Sequence, residues 1–359
     1  MPHTVIPFES TLRHALQSAQ WAGLRHSSET TTQRVVRNDR PERNQSSLEE
    51  GAMCEVLVDG HFGYAATADL SGPGLQRAFD RAIATSRATS PYKVHAFGPS
   101  QRPRAQGSYR SPRQRDLDTT SLAEITDCLV AASQAMKLSD ALVNRSASAM
   151  LIQTEINFFS SNGSDTRQSF DMADVTLSAT AAEGLESQTR SWSRTGQLGG
   201  EVFHRAALAQ QAEDTAREAL ALLQADNCPS ARMDLILMPD QMMLQIHESV
   251  GHPLELDRIL GDERNYAGST FVKASDIGSL RYGSNLMNIT FDPTLAGEAA
   301  SYGADDIGNP ATREYIVKDG ILVRGLGSLE SQQRSGKPGV ANQRAQDWFR
   351  APIDRIANL

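Results

Sequence analysis

Cysteine is scarce here: Cys54, Cys128 and Cys228 are the only three in 359 residues, odd in number and widely spaced. That excludes a disulfide framework as the basis of the fold and fits a reducing compartment. Long apolar runs are missing too. No stretch of 18 apolar residues occurs, so no membrane span is expected. Residues 1–20 carry Glu9, Arg13 and His14 through their most apolar part and hold no signal-peptide core, so a cytoplasmic location is expected. An excess of positive charge is also absent, the net charge being −8 with a pI near 5.5. A dedicated nucleic-acid binder usually has the opposite balance, which makes nucleic acid an unexpected partner.

What is present is ordinary for a folded protein: 39% hydrophobic and 22% charged residues in a chain long enough for a sizeable core and two domains. The apolar spacing predicts a helix over 10–22, capped by Ser10 or Thr11. Residues 53–58 and 61–66 flank Asp59 and Gly60, a hairpin signal, and 74–87 follow as an amphipathic helix behind Pro73. Residues 98–118 then break the pattern with three prolines and five arginines. A basic contact loop is one reading of that stretch; a solvated connection is the plainer one, since only Tyr109 offers an aromatic platform. A second group follows, with a helix over 121–138, strands over 149–159 and 166–171, a hairpin of 174–182 with 187–194, and a helix over 204–224. Beyond Cys228 and Pro229 come a buried strand at 233–238, a turn with Asp240 as helix cap, a helix over 241–252, and a hairpin of 313–318 with 321–326 around Asp319 and Gly320. Strands thus pair with their sequence neighbours and helices separate the strand groups, which predicts α+β with antiparallel sheets and flanking helices.

The chemistry concentrates at His247, Glu248, Ser249, Val250, Gly251 and His252. Two imidazoles and an adjacent carboxylate are the minimum for a zinc site that activates water. In HExxH hydrolases the histidines are four residues apart, roughly 40° around a helix; here they are five apart, roughly 140°. A regular helix would point them away from each other. A π-type bulge would bring the second back round, and Gly251 (tolerant of unusual dihedrals) and Pro253 (hostile to helix at His252) offer the means. The plain alternative is a pair of capping or surface histidines. His61, His95 and His204 stand alone and read as surface or packed histidines; Trp192 and Trp348 read as packing residues.

Together with Pro253, Leu254, Glu255, Leu256 and Asp257 after it, this motif resembles the TldD/PmbA family, also called modulator of DNA gyrase or U62 peptidase. Val58, Asp59 and Gly60 before Phe62, Gly63, Tyr64 and Ala65, then Thr67, Ala68, Asp69 and Leu70, add to the likeness. So do Asp292, Pro293 and Thr294 ahead of residues 301–306. The likeness spans nearly the whole chain, and the HExxxH element points to the TldD branch, because the PmbA (TldE) branch lacks it. The resemblance implies a cytosolic zinc peptidase of unfolded or extended peptides, working as a homodimer or as a heterodimer with a TldE/PmbA-like subunit. It implies His247 and His252 as zinc ligands and Glu248 as general base. Residues 1–100 and 119–228 then read as two N-terminal α+β subdomains, 101–118 as a Pro/Arg-rich linker, and 229–359 as the C-terminal metallopeptidase domain.

The family's third ligand is a cysteine far downstream, and no cysteine of this chain follows the motif. The reading put first is that the chain lacks the family's C-terminal part. Cys228, which precedes the motif, and Glu255, three residues after His252, are the other candidates. An alternative function is a catalytically impaired peptide-binding partner subunit of a TldD/TldE-type complex. Asp305 and Asp306, before Gly308, read as a turn between strands, with lining of a substrate cleft as the other possibility; Arg344 matches a family segment without an arguable role.

Overall fold

The protein is described by a computed structural model over residues 7–359. Its first part runs α1 (Phe8–Ala15), β1 (Trp21–Arg37), β2 (Arg40–Val58), β3 (His61–Thr67), α2 (Gly72–Thr89) and β4 (Gln106–Arg110). Then come α3 (Leu122–Ala135), β5 (Leu142–Ser160), β6 (Asp165–Glu183), β7 (Glu186–Gly196) and α4 (Arg205–Leu222). The C-terminal unit holds α5 (Pro239–Ile246), α6 (Leu256–Leu260), β8 (Ile289–Phe291), β9 (Glu314–Lys318), β10 (Ile321–Leu322), α7 (Leu329–Ser335), β11 (Gln343–Arg344) and β12 (Ile353–Asp354).

One seven-stranded sheet runs β3-β2-β1-β5-β6-β4, with β7 also on β6. Its pairings are antiparallel except β4 with β6, which is parallel. The α+β class with antiparallel sheets and flanking helices is therefore what the chain adopts. The β1–β5 ladder, from Gly23 opposite Ser160 to Arg37 opposite Ser146, fuses the strand groups of 1–100 and 119–228 into a single sheet.

Alternation along the strands sets two faces. Ala22, Leu24, Cys54 and Val56 turn to one face, where α2 covers them with Leu75, Phe79 and Ile83. On the same face of β1, Val36 joins a second core with Ala147, Val175 and Leu177, covered by Ile125 and Leu129 of α3 and Leu208 and Ala216 of α4. The opposite face carries Trp21, Arg25, Leu57 and Phe158. The C-terminal unit docks there, through an ion pair of Arg25 with Asp306, a hydrogen bond from the Gln168 side chain to the Ala304 carbonyl at 2.9 Å, and Trp348 against Gly51.

The two Asp-Gly turns behave as hairpin chemistry demands: φ is positive at Asp59 (50°) and Gly60 (75°), and at Asp319 (50°) and Gly320 (77°). Helix α2 starts two residues earlier than its apolar spacing indicated, because the Ser71 hydroxyl accepts the Gly74 N–H and caps it. The expected helix over 10–22 stops at Ala15, and Trp21 already opens β1. The strands expected at 166–171 and 174–182 are one continuous β6.

Two expectations fail for physical reasons. Residues 233–238 form no strand: Met233, Leu235, Ile236 and Met238 are exposed. Apolar content suits a strand, but a strand needs a neighbour for its N–H and C=O groups, and none lies beside this segment among the described residues. Nor is the arginine-rich stretch simply solvated. Arg102 is fully buried, Arg113 pairs with Asp171 at 3.0 Å, and Arg115 pairs with Glu124 at 2.8 Å. These guanidinium groups hold neighbouring elements together.

Candidate metal centre

Helix α5 opens with Pro239 at its first position, where the missing N–H costs nothing. Asp240 lies in its first turn, favourable to the helix dipole, while Met238 holds the cap position without a side-chain bond. The regular helix ends at Ile246, and a π turn takes over across His247–Gly251, with the His252 N–H bonding back to the His247 carbonyl. That wider turn is what a five-residue spacing needs, and it brings the two imidazoles to one side. Their ring centres are 4.5 Å apart and nearly perpendicular, at 86°. One donor atom from each of His247, Glu248 and His252 falls within 4.8 Å of the others. His247 and Glu248 face solvent, while His252 is half-buried.

The π turn is held by its surroundings. Gly251 has φ −56° and ψ −74°, so it is right-handed and does not use the freedom expected of it. Its lack of a side chain is what matters: a Cβ there would stand 2.6 Å from Ile356 Cδ1. The Tyr282 hydroxyl donates to the Ser249 carbonyl, and burial pushes that phenol up to about 12, so it stays a donor at any ordinary pH. Pro253 sits in a short 3-10 turn, His252–Leu254, whose Pro253 carbonyl accepts the Thr270 hydroxyl at 2.8 Å.

Of the other residues singled out in the sequence, the structure separates most from this centre. Cys228 is exposed and contributes no donor to the cluster; its thiol meets the Pro229 carbonyl at 4.0 Å. It lies in the irregular segment between α4 and α5, which carries no strand to bring it inward. Glu255 also stands outside the donor cluster, its carboxylate engaged by His252 Nδ1 at 3.0 Å and by Arg258. Asp305 and Asp306 are buried. Asp305 accepts backbone N–H groups of Ile307, Asn309 and Gln343, and Asp306 accepts Arg25 and the Ala345 N–H. They form the turn, closed by the Gly308 N–H on the Asp305 carbonyl at 3.0 Å, and pin it to its neighbours. His61 bonds Thr89, His95 packs on Phe97, and His204 caps α4 by accepting the Ala207 N–H. Trp192 packs on the α3–α4 core, and Arg344 lies over the Tyr302 ring while donating to the Ile356 carbonyl.

Behind the motif lies an acidic pair that sequence spacing did not reveal. Asp257, chiefly through burial and then through the charges of Asp354 and Glu255, is pushed up to about 8. Asp354, chiefly through burial, is pushed up to about 6, although Ser331 and Ser328 donate to it. Both carboxyls titrate in the fold above their unfolded range near 3.9, so the folded state binds the extra proton. The stability this confers is complete below pH 4 and is lost as pH rises through the raised range that the two carboxyls share as a pair. Thermal midpoints of metal-free protein are therefore expected to fall between pH 5 and 8, and Asp257→Asn is expected to flatten that fall. An unchanged slope in the variant would locate the titration elsewhere.

Family comparisons bear on the whole chain. Three family models match in order: PmbA/TldA metallopeptidase domain 1 at residues 22–86, the central domain at 115–223, and the C-terminal domain at 230–359. The chain belongs to the PmbA/TldD metallopeptidase family. A metalloprotease of Methanothermobacter thermautotrophicus is 26% identical over 94% of this PmbA/TldD chain and 71% of its own length. A Synechocystis metalloprotease is 25% identical over 95% of the chain and 71% of its own length. Among solved structures, a protein of Bacteroides thetaiotaomicron described as a candidate modulator of DNA gyrase shares the PmbA/TldD fold at a TM-score of 0.73, with 16% identity, 93% of this chain and 74% of that one covered. TldE from Thermococcus kodakarensis shares it at 0.66, with 12% identity and 97% and 76% covered. The family name implies a metal, and the HExxxH cluster is the one group of three such donors among the described residues. No helix among them is long and apolar enough to cross a membrane.

Proposed function

We propose that this chain is a zinc-dependent peptidase of unfolded or extended peptides, with His247 and His252 as zinc ligands and Glu248 as general base. The observation that supports it is the convergence of these three donors within 4.8 Å on a π turn. The donor set fits the ion: paired imidazole nitrogens suit zinc, whereas calcium and magnesium favour all-oxygen sites. When bound, zinc supplies Lewis acidity that makes water a competent nucleophile near pH 7.

The chain's own groups do the rest. Glu248, next to the first ligand and open to solvent, takes the proton of the attacking water and passes it to the departing amine. The exposed position of His247 and Glu248 leaves room for a backbone to approach from outside, which suits an extended peptide more than a small enclosed substrate. In its working form the chain pairs with a second copy or with a TldE/PmbA-like subunit, in the cytoplasm.

A second reading is a catalytically impaired peptide-binding subunit of a TldD/TldE-type complex. It draws on the likeness to the TldE fold and on a donor set with only two histidines, where zinc hydrolases ordinarily use three protein ligands. Incubation with an unstructured peptide separates the two. Cleavage that stops with chelator and returns with zinc is the expected result. Peptide binding that ignores chelator, without turnover, is the outcome of the second reading.

A further inference from the structure

We propose that Glu255 is a positioning residue, not a metal ligand: it holds the Nδ1 proton of His252 and so commits the Nε2 lone pair to the metal. The proposal rests on the zinc-site reading above.

Its geometry is local and complete. Glu255 Oε2 lies 3.0 Å from His252 Nδ1. The same oxygen is 3.3 Å from Arg258 Nε and 3.2 Å from Arg258 Nη2. Arg258 Nη2 also stands 3.3 Å from His252 Nδ1, so three polar groups meet and their protons must be shared out. A guanidinium only donates, and a carboxylate between two candidate donors only accepts. If Nδ1 were bare, its lone pair would face the carboxylate oxygen at 3.0 Å, a repulsive arrangement. With the proton on Nδ1, the carboxylate takes hydrogen bonds from both imidazole and guanidinium. Nε2 is then the nitrogen with a free pair.

The support is rigid. Glu255 is buried, and its backbone bridges Leu326, with the Leu256 N–H on the Leu326 carbonyl at 2.8 Å and the Leu326 N–H on the Leu254 carbonyl at 2.7 Å. Arg258 Nη1 is anchored in turn on the Ala267 carbonyl at 2.8 Å. A carboxylate held this way cannot swing out as a ligand without abandoning Arg258. It can fix the tautomer and raise the basicity of the imidazole it touches, the usual task of a group behind a metal-bound histidine.

Two measurements test this, one of which needs no variant. In metal-free protein labelled with ¹⁵N-histidine, long-range ¹H–¹⁵N correlation reads the His252 tautomer directly. Nδ1–H is expected, and a dominant Nε2–H form would overturn the proposal whether or not zinc binds. Zinc titration against a chromophoric chelator should then show Glu255→Gln weakening affinity about 10- to 100-fold. The cobalt(II) absorption bands should keep their positions, because no ligand is lost. An affinity within twofold of the parent, or bands that move with the substitution, would contradict it. Absence of zinc binding in the parent would sink the site reading instead, leaving the tautomer to decide the role of Glu255.

Discussion

Glu248→Gln is expected to lower peptide hydrolysis by about 10²- to 10⁴-fold, the range a positioned general base contributes, with zinc binding retained. The amide keeps the size and approximate shape of the carboxylate but cannot accept a proton near neutral pH. Glu248 is exposed, and the ionisable groups it approaches are the two imidazoles of the cluster, its Oε1 being 4.0 Å from His247 Nε2. No buried network depends on it, so the fold should not change. The pair of results is what matters. Lost turnover with retained zinc assigns the proton transfer to Glu248; unimpaired turnover would remove it from the mechanism. Loss of both would make it a ligand.

Arg102→Met is expected to destabilise the fold by about 3–5 kcal/mol, the cost of leaving a buried charge without its partner. Arg102 Nε bonds Glu55 Oε1 at 2.8 Å, and Nη2 reaches the same oxygen, Glu330 Oε1 at 2.6 Å and the Tyr64 hydroxyl at 3.0 Å. The guanidinium also lies 3.9 Å above the Phe62 ring centre. Glu55 and Tyr64 belong to β2 and β3, and Glu330 to α7, so one side chain from the proline-rich stretch joins the sheet to the C-terminal unit. Methionine fills the volume but abandons two carboxylates. Lysine should recover little, since its single ammonium cannot reproduce the fork. Chemical unfolding measures this. A loss under about 1 kcal/mol would place the pair in the class of weakly contributing surface bridges. Adding Glu55→Gln and Glu330→Gln should restore part of the loss, because the penalty is unpaired charge more than missing packing.

What the sequence disclosed, and what it hid, follows from how far each interaction reaches along the chain. The apolar stripe of α2, the Asp-Gly turns and the five-residue histidine spacing are local signals, and each led to the element the structure contains. The long strands were less visible. Between Ser27 and Arg34, β1 is mostly Ser, Thr, Gln and Glu, and Arg40–Glu49 of β2 is exposed throughout. Alternation of apolar residues cannot mark a strand whose faces are both largely polar there; the ladders to β2 and β5 hold it instead. The segment at 233–238 failed in the opposite direction, having apolar residues without a neighbour.

At the site, the motif was legible and its setting was not. The spacing of Glu255 from His252 is visible in the sequence, but ligand and orienting group look the same there, and the contact with Nδ1 at 3.0 Å is a feature of the fold alone. The reason for Gly251 was likewise out of reach, since the crowding atom belongs to Ile356, far along the chain. Asp306 meets Arg25 across most of the sequence, and no local pattern announces such a pair.

Metal stoichiometry by elemental analysis, on the purified chain beside a His247→Ala/His252→Ala variant, tests whether the two histidines hold zinc. About one zinc per chain, absent from the variant, is the predicted result. Zinc retained in the variant, or none in either protein, would contradict the assignment of His247 and His252 as its ligands.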